Sequence, residues 1–119
     1  MTVMPSGDIS ETWVDIGHID DIPRRGARVV KTPRGDVAVF RTGDDAVFAL
    51  DDRCPHMGGP LSQGIVQGNS VVCPLHNWNI GLDSGEAQGA DHGCTRTIPV
   101  RLVDGRVHLA WAGLLAGAA

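Results

Sequence analysis

Cys54-Pro55-His56-Met57-Gly58-Gly59-Pro60-Leu61 and Cys73-Pro74-Leu75-His76-Asn77-Trp78 decide how this chain is read. Their spacing is C-x-H, sixteen residues, then C-x-x-H. Two soft thiolates and two imidazoles come from two short segments rich in Pro and Gly. Thiolate and imidazole together select zinc or iron–sulfur chemistry over the oxygen-loving cations. Pro55 and Pro74 fix φ just inside each segment, which stiffens a ligand loop. Gly58-Gly59-Pro60 offers backbone without side chains, able to approach a metal centre closely and present N–H donors.

Cys₂His₂ in this order is the ligand set of a Rieske [2Fe–2S] centre, in which two His replace two Cys on one iron. An oxidised core of two ferric ions and two sulfides carries two positive charges. Two thiolates bring it to neutrality, where four would leave it doubly negative. Adding an electron is then easier, and potentials rise from about −400 mV in plant-type ferredoxins to roughly −150 to +300 mV. Zinc takes the same ligand types, but its modules pair Cys with Cys at two to four residues and His with His at three to five. Here each half is a mixed Cys/His pair. That order favours the cluster, with zinc and an empty, vestigial site as the alternatives.

The rest of the chain is read outward from these loops. At 119 residues it is one domain, 1–119, with room for a modest core. A net charge of −4 argues against a nucleic-acid partner. Of three Cys, only Cys94 is left once Cys54 and Cys73 bind metal, so no disulfide within the chain is expected. That suits a reducing, cytoplasmic setting. Met1 to Trp13 has no Lys, Arg or apolar core and does not read as a signal peptide. The apolar tail Trp111–Ala119 is too short to span a bilayer, and no membrane association is expected.

Short β-branched runs alternate with turn signals. Strands are expected at Thr12–Ile16, Arg28–Lys31, Val37–Arg41, Ala46–Leu50, Val100–Val103 and Arg106–Ala110, and a hairpin over Val66–Val72. Ile19–Pro23 reads as a helical turn or loop. Asp104-Gly105 is the strongest hairpin signal. About eight strands with no helical period predict an all-β sandwich or barrel.

The two loops resemble those of Rieske-type ferredoxins. Ile80-Gly81-Leu82-Asp83-Ser84-Gly85-Glu86-Ala87, Asp91-His92-Gly93-Cys94 and Ile98-Pro99-Val100-Arg101 are similar to the small subunit of the NAD(P)H-dependent assimilatory nitrite reductase. The similarity runs from about Trp13 to Leu109. It implies a β-sandwich of antiparallel sheets with the cluster loops at one tip. It also implies Cys54, His56, Cys73 and His76 as cluster ligands and an electron-transfer role that is not catalytic on its own. The large partner subunit would hold FAD, siroheme and a [4Fe–4S] cluster and take nitrite to ammonium in nitrate assimilation. A stand-alone ferredoxin feeding a ring-hydroxylating oxygenase uses the same loops, and a cluster-free structural subunit is the third reading.

Other chemistry-bearing residues have plainer readings. Cys94 is expected as a small buried hydrophobe. His18, His92 and His108 lack partners at ligand spacing and read as surface or strand residues. Trp78 is expected as a core anchor under the second loop. Asp51-Asp52-Arg53 reads as a solvated turn. With no catalytic triad, phosphate loop or GxGxxG after a strand, the chain is expected to bind no dinucleotide itself.

Overall fold

The run Val37-Ala38-Val39-Phe40 is buried at every residue, where a half-solvated strand would alternate. This run belongs to a strand covered on both faces, and the fold is built around it. The computed structural model describes residues 13–32, 35–54, 60–73, 78–87 and 93–110. His56, His76, Met57, Leu75, His92 and the Trp111–Ala119 tail lie outside them.

The described residues form ten strands in three antiparallel sheets. They are β1 Trp13–His18, β2 Gly26–Thr32, β3 Gly35–Arg41, β4 Val47–Asp51, β5 Ile65–Gln67, β6 Ser70–Val72, β7 Asn79–Gly81, β8 Thr97–Ile98, β9 Val100–Val103 and β10 Arg106–Ala110. The sheets are ordered β1-β10-β9, β2-β3-β4-β8 and β5-β6-β7. Successive side chains of a strand point to opposite faces. Accordingly Val37 and Val39 of β3 enter one core with Ala49, Ile98, Val107 and Leu109. Ala38 and Phe40 enter another with Leu50, Val66, Val71 and Ile80. The four-stranded sheet is therefore the middle layer, with one three-stranded sheet packed on each face.

All expected strands are present, with ends shifted by a residue or two. Asp104 and Gly105 both have positive φ (52° and 80°), as the tight hairpin between β9 and β10 demands. The Ile19–Pro23 turn is a 3₁₀ turn over Ile19–Asp21. His18 caps it: its side chain accepts from the Asp20 N–H, and the Asp21 carboxylate accepts from the His18 N–H. Strands β7 and β8 were not expected. They are three and two residues long, too short to show a period.

Candidate metal centre

Each Cys of the two motifs stands at the mouth of a loop whose stem is closed by hydrogen bonds. Strand β4 ends at Asp51. The Asp52 N–H then donates to the Asp36 carbonyl (3.0 Å), which turns the chain inward to Cys54. Beyond residues 55–59 the chain resumes at Pro60 and forms a 3₁₀ turn over Leu61–Gln63. The Pro60 ring makes no hydrogen bond that would cap that turn. Asp52 caps it from across the loop instead, its carboxylate accepting from the Ser62 N–H (2.7 Å) and the Ser62 Oγ–H (2.8 Å).

The second loop is closed by backbone. Strand β6 leads into Cys73, whose N–H donates to the Trp78 carbonyl (2.7 Å). Strand β7 then pairs back on β6 with Val72 opposite Asn79. Trp78 is half-buried and packs on the same core, as expected of an anchor.

Both stems end in one core. Cys54 is 3% exposed and Cys73 1%, and both belong to the cluster that holds Leu61, Val71, Ile80 and Leu82. None of the three cysteines is in a disulfide. Two buried, unbridged cysteines thus reach one apolar cluster from two different loops. A buried thiolate needs a compensating charge, which a metal centre bound by both cysteines would supply. The donor types and their burial therefore fit an iron–sulfur cluster.

A third segment ties the two stems together, a role its residue types do not announce. After β7, the Gly81 N–H donates to the Glu86 carbonyl (2.9 Å). Glu86 bridges Cys94, the Ala87 N–H reaches the Gly93 carbonyl (2.9 Å), and the Thr95 N–H reaches the Gly85 carbonyl (2.7 Å). One residue on, the Arg96 carbonyl accepts from the Asp51 N–H, and the Arg96 guanidinium donates to the Asp51 carboxylate, both at 2.9 Å. The chain following the second loop is thereby strapped to the residue that leads into the first.

Two expectations are corrected here. Asp51-Asp52-Arg53 is not a solvated turn: Asp51 and Asp52 are half-buried and each binds a distant partner, and only Arg53 is exposed. The signal available was their position directly before Cys54, with Ser62 just past Gly-Gly-Pro. Cys94 is exposed rather than buried, because its bridge to Glu86 lies outside the named strands and both residues face solvent. His18 serves as a cap, and His108 sits half-buried on β10 with Nε2 3.8 Å from the Asp15 carboxylate. Neither stands at the loops.

Residues 12–99 match the family model of the Rieske [2Fe-2S] domain. Among curated proteins, the chain is 35% identical over 98 residues to the anthranilate 1,2-dioxygenase ferredoxin subunit of Burkholderia cepacia, covering 82% of this chain and 90% of that one. Among solved structures it is similar to a protein assigned as a nitrite reductase (NADPH) small subunit, with TM-score 0.72 and 27% identity, covering 82% of this chain and 97% of that one. It is similar also to one assigned as the NADH-dependent nitrite reductase small subunit of Mycobacterium tuberculosis, with TM-score 0.73 and 25% identity, covering 82% and 93%.

Proposed function

The chain belongs to the Rieske [2Fe–2S] domain family, and on that premise we propose that it is the electron-transfer small subunit of an NAD(P)H-dependent nitrite reductase. Cys54, His56, Cys73 and His76 are the proposed ligands, the two Cys on one iron and the two His on the other. When bound, the cluster takes up and gives back one electron at a time.

The chain's own part is to hold and shield that centre. Cys54 and Cys73 bring two thiolates to one place, and Leu61, Val71 and Ile80 keep water from the sulfurs. The Asp52–Ser62 and Cys73–Trp78 contacts hold the stems from which the two motifs extend. Reducing nitrite to ammonium takes six electrons and a site for nitrite. The proposal assigns that chemistry, with FAD, siroheme and a [4Fe–4S] cluster, to the large partner in the cytoplasm.

The convergence of Cys54 and Cys73 in one cluster carries the electron-transfer reading. The 80–101 segment supports the nitrite-reductase assignment, as does the likeness to two structures assigned as nitrite reductase small subunits along nearly their whole length. The 35% identity to a dioxygenase ferredoxin favours a second reading, a carrier that feeds an oxygenase.

The test has two stages. Protein made with adequate iron should hold two irons and two sulfides, and the dithionite-reduced form should give a Rieske EPR signal; one zinc per chain and no signal refutes the centre. The loaded protein should then co-purify with a siroheme-containing large subunit and raise its NAD(P)H-dependent nitrite consumption. Electron delivery to an oxygenase, with no such association, establishes the second reading instead. Leu75→Glu should weaken the complex more than the same charge placed beside Gly43.

A further inference from the structure

We propose that Asp51 and Arg96 are positioning residues that tune the affinity of the metal centre for its electron, acting as an opposed charge pair at the entrance of the Cys54 loop. The inference rests on the proposed cluster. It adds two residues that neither ligate nor lie in either motif.

Three observations carry it. First, the pair is close to the centre: Asp51 precedes Cys54 by three residues, so their backbones lie within roughly 11 Å, at about 3.6 Å for each extended residue. Second, the pair is largely out of water. The side chains of Arg96 and Asp51 are 26% and 30% exposed and meet at 2.9 Å. Charges there act on their surroundings more strongly than surface charges do. Third, the guanidinium is not spent on the carboxylate. Nε and Nη1 of Arg96 are buried with no hydrogen-bond partner among the described residues. Leaving buried charged donors unmatched is costly. A strut alone would need only Nη2, whereas a positive charge held beside an electron-rich centre uses the whole group.

The sign follows from charge alone. One electron from the titrant converts one ferric ion to ferrous iron and adds one negative charge to the centre. Arg96 favours that added charge and Asp51 opposes it, and in the native protein the two offset each other. Asp51→Asn leaves the guanidinium unopposed and should raise the midpoint potential. Arg96→Gln leaves the carboxylate unopposed and should lower it. The double variant should return close to the native value, and Arg96→Lys, which keeps the charge, should stay near it.

The experiment is a redox titration of the iron-loaded protein and these four variants at one pH and low salt, with iron content and thermal unfolding recorded for each. Opposite shifts for the two single variants, cancelling in the double, support the inference. Cluster-bearing variants that shift in the same direction, or not at all, overturn it and leave the proposed function standing. A native protein that binds no iron overturns the proposed function and this inference together. Should Arg96→Gln not fold, Asp51→Asn and Arg96→Lys decide: a raised midpoint in the first and a native one in the second support it, and an unmoved Asp51→Asn overturns it.

Discussion

Asp52→Ala is the most informative single change at the loop stems. It removes two hydrogen bonds to Ser62, at 2.7 and 2.8 Å, and leaves the Ser62 N–H without its cap. A hydrogen bond to a charged group contributes about 1.5–3 kcal/mol. Asp52 is only half-buried, so water recovers part of the loss. The pair acts as one bidentate contact, and a total of about 2–3 kcal/mol follows. For a chain of this size about 4 °C of Tm accompanies each kcal/mol, so a fall of about 8–12 °C is expected. Asp52→Asn keeps an acceptor for the N–H and a donor for Oγ, and should cost about 1 kcal/mol. Ser62→Ala loses only the Oγ contact and should also cost about 1 kcal/mol. Thermal unfolding of the iron-free chain reads the stability term, and iron loss to a chelator reads the loop. If Asp52→Ala melts within about 2 °C of the native chain and releases iron no faster, the carboxylate does not close the loop.

Other outcomes follow from the same geometry. Leu61→Ala should cost about 2–5 kcal/mol by denaturant unfolding, because Leu61 is fully buried in the cluster with both cysteines. Gly64→Ala should destabilise by more than about 2 kcal/mol, since a Cβ there would stand 2.3 Å from the Val72 carbonyl oxygen. Gly85→Ala combines a φ of +73° with a Cβ 2.2 Å from the Thr95 carbonyl oxygen, and should loosen the strap, read as faster exchange of the Thr95 amide. The Arg106 guanidinium, helped by the Gly17 N–H, holds the Asp15 carboxyl below its usual range. A lowered carboxylate pKa stabilises the fold above the unfolded value, and that contribution is lost as pH falls below about 4. Asp15→Asn should therefore flatten the acid limb of the stability profile slightly, the pair being exposed.

Much of this was legible in the sequence, for reasons that differ by element. Asp104-Gly105 names its hairpin because only certain residues tolerate positive φ, and Gly68 does the same in the turn between β5 and β6. The Val37–Arg41 run marks a strand, but that it is covered on both faces, by two cores, shows only in the fold. The two motifs single out Cys54 and Cys73, and the fold buries both in one apolar cluster. Three things stayed hidden. Strands of two or three residues, β7 and β8, carry no period. Cys94 was judged by residue type, and its solvent-facing bridge overrode the usual burial of Cys. Asp51, Asp52 and Arg96 look like ordinary surface charges until the fold brings residues 45 positions apart to within 2.9 Å.

The two loops are closed by different means, and that decides how each tolerates change. The first depends on a side chain: remove the Asp52 carboxylate and no other described side chain caps the turn at Leu61–Gln63. The second depends on the Cys73 N–H and the Trp78 carbonyl, continued by the Val72–Asn79 pair in the sheet. No ordinary substitution deletes a backbone donor, and only proline does so. Point changes around the second stem should therefore act through packing alone, as with a smaller residue in place of Trp78. Native-state hydrogen exchange separates the two cases. The Cys73 amide should exchange with the sheet, near the global unfolding limit, in the native chain and in Asp52→Ala alike once the lower global stability is allowed for. The Ser62 amide should exchange far faster in Asp52→Ala than that global loss explains, because its opening becomes local. Equal acceleration of both amides would mean that the stems open as one unit, and the distinction between a side-chain latch and a backbone latch would fail.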